Sequence, residues 1–211
     1  MVKNVILDFG HGGIGADGIY TTAPDKMYKF PDGVIAYEGV LNRQIGGHIY
    51  ECLKPHKELN IVTTVREDDP RDLSLSYRVK VANSFDPKST IFVSVHCNAS
   101  PNHNATGFEL FTTIGLTESD TLAEAIATSA EGALNKVSLR TRYDFSDGDK
   151  DKEADFYVLR KTKCPAVLLE CGFFDFRKDF ELLSDPLFQG DLGSFIYSGI
   201  LNYINGKNRT I

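Results

Sequence analysis

Apolar and polar positions alternate along this chain in two periods. Short apolar or β-branched runs read as strands: Val2 to Leu7, Asn60 to Val65, Ile91 to Val95 and Ala166 to Leu169. Gly107 to Thr113 alternates as a further strand, and Phe156 to Arg160 reads as a short one. Between them the spacing widens to that of helices. From about Glu38, Leu41, Ile45, Ile49 and Leu53 recur every four residues, Val40 and Cys52 broaden the stripe, and Pro55 ends it. Leu75 to Asn83 places Leu75, Val79 and Ala82 on one face before Phe85-Asp86-Pro87 breaks it. Leu122 to Leu134 is an Ala-rich helix, and Phe180 to Leu183 and Leu187 to Ile204 complete the set.

Buried strands alternating with helices predict an α/β fold. The expected architecture is a three-layer α/β/α sandwich around a mostly parallel twisted sheet of about six strands, with residues 1–211 forming one domain. Two stretches interrupt the pattern. Gly12 to Tyr37 contains turn chemistry at Asp17-Gly18, Ala23-Pro24-Asp25 and Pro31-Asp32-Gly33. Its aromatics Tyr20, Tyr28, Phe30 and Tyr37 mark an ordered excursion, not a linker. Asp144, Asp147, Asp149, Lys150, Asp151, Lys152 and Glu153 read as a solvated charged loop.

Composition narrows the class. With 42% hydrophobic and 25% charged residues, the chain is an ordinary globular one. A net charge of −6 gives no basic stripe for nucleic acid and no polybasic membrane anchor. Neither a membrane-spanning run nor a signal peptide is visible, so the expectation is synthesis in the cytoplasm without insertion into a membrane. Cys52, Cys97, Cys164 and Cys171 lack metal or redox spacing and read as reduced, buried thiols. A Cys97–Cys171 disulfide is the alternative.

The chemistry gathers at strand ends. His11, set among Gly10, Gly12 and Gly13, follows the first strand; His96 follows the third; Glu170 follows the strand Ala166 to Leu169. In a parallel sheet these three project from one edge, where ligands of open α/β sheets bind. Glu38, at the start of the first helix, is either a helix-terminal carboxylate favoured by the dipole or a fourth member of the group. Two imidazoles and one carboxylate with an open fourth position form a catalytic zinc pattern, and Glu170 is left to move protons on the zinc-held water. Apolar neighbours of Glu170 are expected to raise its pKa.

Val5-Ile6-Leu7-Asp8-Phe9-Gly10-His11-Gly12-Gly13, Tyr37-Glu38-Gly39, Ser94-Val95-His96-Cys97-Asn98-Ala99 and Leu168-Leu169-Glu170-Cys171-Gly172-Phe173 resemble, in order, the motifs of zinc-dependent N-acetylmuramoyl-L-alanine amidases of the amidase-3 type. Arg66 and Tyr157-Val158-Leu159-Arg160 also match that family's habits. The resemblance implies that His11, Glu38 and His96 bind one Zn2+ per chain and that Glu170 is the catalytic carboxylate. It implies hydrolysis of the amide between N-acetylmuramic acid and L-alanine in peptidoglycan. With no signal peptide or wall-binding module visible, the expectation is a monomeric phage-type endolysin acting on the cell wall in the periplasm or at the cell surface. The chain departs from the family in carrying Phe9 where proline is usual, in its displaced acidic residue (Asp17 is nearest), and in the length of Gly12 to Tyr37.

Two other readings compete: a bacterial wall amidase, and a zinc carboxypeptidase-like hydrolase using Arg66, Arg140, Arg142 or Arg160 to hold a terminal carboxylate. His48 and His56 read as ordinary polar positions, and His103 as a surface residue or a substrate contact.

Overall fold

The computed structural model describes residues 1–137, 139–146 and 148–209. A six-stranded sheet forms the middle layer. Its strands are β1 (Asn4–Phe9), β4 (Asn60–Thr63), β5 (Thr90–Asn98), β6 (Glu109–Thr112), β7 (Lys152–Glu153) and β8 (Ala166–Phe173), in the spatial order β4-β1-β5-β8-β6-β7. The four strands β4, β1, β5 and β8 run parallel, while β6 pairs antiparallel with β8.

The two faces are covered unequally. On one side lie the long helices α1 (Glu38–Leu53), α3 (Glu118–Leu134) and α6 (Pro186–Arg209), with the short α5 (Arg177–Leu183). Leu41, Ile45, Ile49 and Leu53 of α1 are buried there as their spacing predicts, against Val5, Leu7, Phe9, Val93 and Val95. Phe9, the departure from the usual proline, is accommodated by Gly46 of α1. A Cβ at Gly46 would lie 2.2 Å from the Phe9 ring. The other face carries only α2 (Leu75–Ala82) and α4 (Tyr157–Lys161), packed on Ile6, Phe92, Ala166 and Leu168. Side chains alternate along strands, so Asp8, Ser94, His96 and Glu170 share this thinly covered face.

Several details differ from the sequence reading. Phe156 to Arg160 is not a strand; Tyr157–Lys161 is a helix. The aromatic and branched residues favour β structure, but Val158 and Leu159 are buried on the sheet face with Ala166 and Leu168, as a helix covering the sheet and not a strand within it. Leu75 is 52% exposed while Val79 and Ala82 are buried, because α2 begins beyond the cover of the core. His96 and Glu170 lie within their strands and pair with each other across the sheet. The excursion from Gly12 is ordered by a hairpin of β2 (Met27–Lys29) and β3 (Ile35–Tyr37). All four cysteines are free, so no Cys97–Cys171 disulfide forms, and burial pushes the Cys97 and Cys171 thiols up.

The charged loop is only partly solvated. Lys152–Glu153 pairs with β6 as an edge strand, and Asp151 is 3% exposed, accepting a hydrogen bond from Thr112 Oγ1 at 2.6 Å. Asp147 lies outside the described residues. Burial, reinforced by the charges of Asp149 and Asp120, pushes the Asp151 carboxyl up to about 7. A raised carboxyl pKa opposes folding wherever the group is ionised. The penalty is therefore full above pH 7 and relieved as pH falls toward 4. Asp151→Asn is expected to stabilise the protein by about 1–3 kcal/mol at pH 8. The gain should vanish near pH 4, as read from urea midpoints at the two pH values; an equal gain at both would remove the titration as its cause.

Candidate metal and catalytic centre

The turn after β1 is built from carbonyls facing buried cations. His11 has φ +62°, a left-handed conformation uncommon for a residue with a Cβ. Arg78 of α2 donates to the Phe9 and His11 carbonyls, and Arg43 of α1 donates to those of His11 and Gly12 at 2.9 and 2.8 Å. Asn42 donates to Gly10 O at 3.2 Å. Arg78 is in turn held by Asp8, with Nη1 2.7 Å from Oδ1, and Asp8 also accepts from Ser94 and Thr64. Burial works against ionised Asp8, but Arg78 and the two hydroxyls outweigh it and hold the carboxyl below its ordinary value. Gly10 leaves room for the next strand: a Cβ there would meet the His96 ring at 2.2 Å.

Glu38 sits in the first turn of α1, whose N-cap residue Tyr37 makes no side-chain cap hydrogen bond. The first N–H groups of α1 are already satisfied: Glu38 N donates to Lys26 O at 3.0 Å, and Gly39 N to the Tyr20 hydroxyl at 2.9 Å. The carboxylate of Glu38, 2% exposed, turns instead to the imidazoles. Oε1 stands 3.1 Å from His11 Nε2 and 3.0 Å from His96 Nδ1. Burial raises the pKa of Glu38, yet the hydrogen bonds and charges of the two histidines dominate and hold it well below the carboxylate range. The two rings meet edge to face, with centroids 5.0 Å apart. One donor atom from each of His11, Glu38 and His96 lies within 4.8 Å of the others, a set of nitrogen and oxygen ligands that fits a single divalent ion.

Glu170 faces this group from β8. Its Oε2 is shielded from solvent and has no hydrogen-bond partner among the described residues. Burial first, and then the nearby Glu38 charge, push its pKa well up. A cleft of about 340 Å3 joins His11, Lys26, Glu38, His96 and Glu170, walled by Leu75, Phe156 and Tyr157. Larger hollows lie elsewhere, at the opposite ends of the strands and beside Arg66; neither contains this set of donors.

Other sequence candidates fall outside the cleft. His56 bonds to Tyr197, and His48 packs on α6. Arg66 is exposed and paired with Asp68, Arg142 pairs with Glu109, and Arg160 with Asp155. Asp17 caps the backbone of Ile19. His103 donates to or accepts from Asp175 at 2.8 Å and stacks on Tyr28 at 4.4 Å. Asp8, Arg43, Arg78 and Lys26 were not legible as site residues. Asp8 left one trace, a charged residue inside an apolar strand.

A carboxylate and two imidazoles at the C-terminal edge of a parallel α/β sheet, opposite a buried second carboxylate, are the equipment of a metal-dependent hydrolase. Residues 5–202 match the Amidase_3 family, N-acetylmuramoyl-L-alanine amidase, and the chain belongs to that family. It is similar to an uncharacterized cell wall amidase of Bacillus anthracis (28% identity over 99% of this chain) and to the endolysin of Bacillus phage SPP1 (28% over 100%). The chain spans 37% of the first relative's length and 69% of the second's. Among solved structures, an N-acetylmuramoyl-L-alanine amidase from Clostridium difficile 630 superposes with a TM-score of 0.75 at 30% identity, covering 98% of each chain. Among the described residues, no helix is long and apolar enough to cross a membrane.

Proposed function

We propose that this protein hydrolyses the amide bond between N-acetylmuramic acid and the L-alanine of the stem peptide in peptidoglycan. On this reading His11, Glu38 and His96 hold one Zn2+, and Glu170 is the catalytic carboxylate. The observation that carries it is the convergence of those three donors beside a buried carboxylate with an unpaired oxygen. A bound zinc ion supplies an acidified water and polarises the substrate carbonyl.

The chain's own groups do the rest. Glu38 stays ionised at ordinary pH and keeps both imidazoles turned toward one point. Glu170, in its ionised form, takes a proton from the attacking water. Its raised pKa makes the resulting acid stable enough to persist until the amide nitrogen needs that proton as the C–N bond breaks. Leu75, Phe156 and Tyr157 wall the cleft with apolar surface and limit access of bulk water. The carboxypeptidase-like reading has less support, since none of Arg66, Arg140, Arg142 and Arg160 lines the cleft.

We assign residues 1–211 to one catalytic domain working as a monomer. One buried core runs from Val2 to Ile204 on one face of the sheet, a smaller one packs on the other face of the same sheet, and one chain supplies all three donors. The similarity to the SPP1 endolysin along the whole chain supports a lytic, endolysin-type role at the cell wall, and the B. anthracis relative supports a bacterial wall amidase as the second reading. Digestion of purified peptidoglycan is expected to release stem peptides bearing a free L-alanine amino group; release of a single terminal amino acid would overturn the assignment. In the same preparation, His96→Ala is expected to lose its zinc by elemental analysis while retaining native circular dichroism. A full zinc complement in that variant would remove His96 from the ligand set.

A further inference from the structure

Among the described residues, Lys26 is the one lysine or arginine lining the cleft. It sits on the excursion that departs most from the family pattern, and it has φ +57°. Three non-glycine residues among those described adopt such a backbone, His11, Lys26 and His103. Unfavourable backbone angles persist where surrounding contacts over-determine them, and they gather at functional sites. Here the contacts are on the page. Lys26 O caps Glu38, Met27 pairs with Tyr37 across the hairpin, and Tyr28 stacks on His103. The backbone of Lys26 is therefore fixed against the first turn of α1.

Its side chain is not tied down in the same way. Nζ lies 3.8 Å from Glu38 Oε2, an ion pair beyond good hydrogen-bond length, and it has no other hydrogen bond or ion pair among the described residues. The side chain is 49% exposed. A loosely paired ammonium thus lines a cleft that also holds the carboxyl groups of Glu38 and Glu170 and the imidazoles of His11 and His96. Hydrolysis adds a further negative charge there. As the water oxygen bonds to the carbonyl carbon, the C=O π pair moves onto oxygen, and the water's proton passes to Glu170. Collapse restores the C=O bond, the C–N pair leaves with nitrogen, and Glu170 returns the proton to it.

We propose that Lys26 is a catalytic residue that donates a hydrogen bond to the oxygen anion formed from the scissile carbonyl. The proposal rests on the amidase reading above. Lys26 transfers no proton; it stabilises charge present in the transition state and absent from bound substrate, which raises kcat and leaves KM unchanged. An effect exerted through Glu38 alone would instead loosen the metal.

The test compares zinc-loaded native protein with Lys26→Met, Lys26→Gln and Lys26→Arg, using a soluble muramoyl peptide as substrate. For Met and Gln, kcat is expected to fall about 10²-fold, the scale of one lost oxyanion donor, with KM within about twofold. A phosphinic isostere of the scissile amide should lose affinity by the same factor in calorimetry. Zinc content should be unchanged, and Arg should recover at least about a tenth of native kcat. Native kcat in Met and Gln overturns the proposal. So does a loss confined to KM, which marks a contact with bound substrate, and so does a fall in zinc content, which marks an effect through Glu38. Failure of the unmutated enzyme to cleave the muramoyl–alanine amide is a separate outcome that removes the amidase reading and this role with it.

Discussion

Glu170→Gln is expected to reduce turnover of peptidoglycan by about 10³-fold or more while zinc stays bound, since general acid–base groups contribute about 10²–10⁴-fold and here one group serves both directions of proton transfer. Glutamine matches the carboxyl in size but neither accepts the water's proton nor returns it to the amine. The same change should stabilise the fold. Glu170 has a raised pKa, so its ionised form opposes folding above the ordinary carboxylate range, and the neutral amide is free of that penalty. The expected pattern is a higher melting temperature for the metal-free protein at pH 8, no difference at pH 3, and, after zinc loading, normal metal content with turnover down by that factor. Retained turnover would remove Glu170 from its role.

Arg78→Met is expected to be the most destabilising single change on the thin face of the sheet. Removing one partner of a buried ion pair costs about 3–5 kcal/mol, because the other charge remains buried without it. Asp8 would keep only the hydroxyls of Ser94 and Thr64. The carbonyls of Phe9 and His11 would lose donors as well. For a domain of this size the melting temperature should fall on the order of 10 °C. Zinc affinity should fall with it, since the conformation of His11 depends on those carbonyl contacts. The pairing is checked by a double-mutant cycle with Asp8→Asn. Once Asp8 is neutral, the loss of Arg78 should cost markedly less, and strictly additive effects would exclude the coupling.

The sequence exposed some of this site because strands are read by their apolar runs, and a run that stops at a histidine or glutamate is conspicuous. His11, His96 and Glu170 stand out that way, and the parallel sheet that brings them into one cleft follows from the alternation of strands with helices. Glu38 was placed by the helix it begins, but its role there could not be separated from capping. The separation depends on Lys26 O and the Tyr20 hydroxyl, contacts that no local pattern announces. Arg43 and Arg78 look like ordinary polar positions on helices. Their work is to bond carbonyls of a turn 31 to 69 residues away in sequence. Asp151 was misread for a related reason: charge density in a loop predicts solvation on average, and one carboxyl folded under β6 escapes the average. The strand expected at Phe156 failed because Val158 and Leu159 bury their side chains on the sheet face, and propensity cannot say whether a segment joins a sheet or covers it.

The unequal cover of the sheet has a consequence for the kind of target this enzyme can engage. A cross-linked mesh presents few free ends, so a catalyst that needed to thread its substrate through a roofed channel would stall. Here α2 and α4 are short, 8 and 5 residues, and edge the cleft only through Leu75 of one and Phe156, Tyr157 and Val158 at the start of the other. On the amidase reading, a taut strand would be laid against the open side of that cleft, where the Lys26 side chain is half exposed, and not threaded through it.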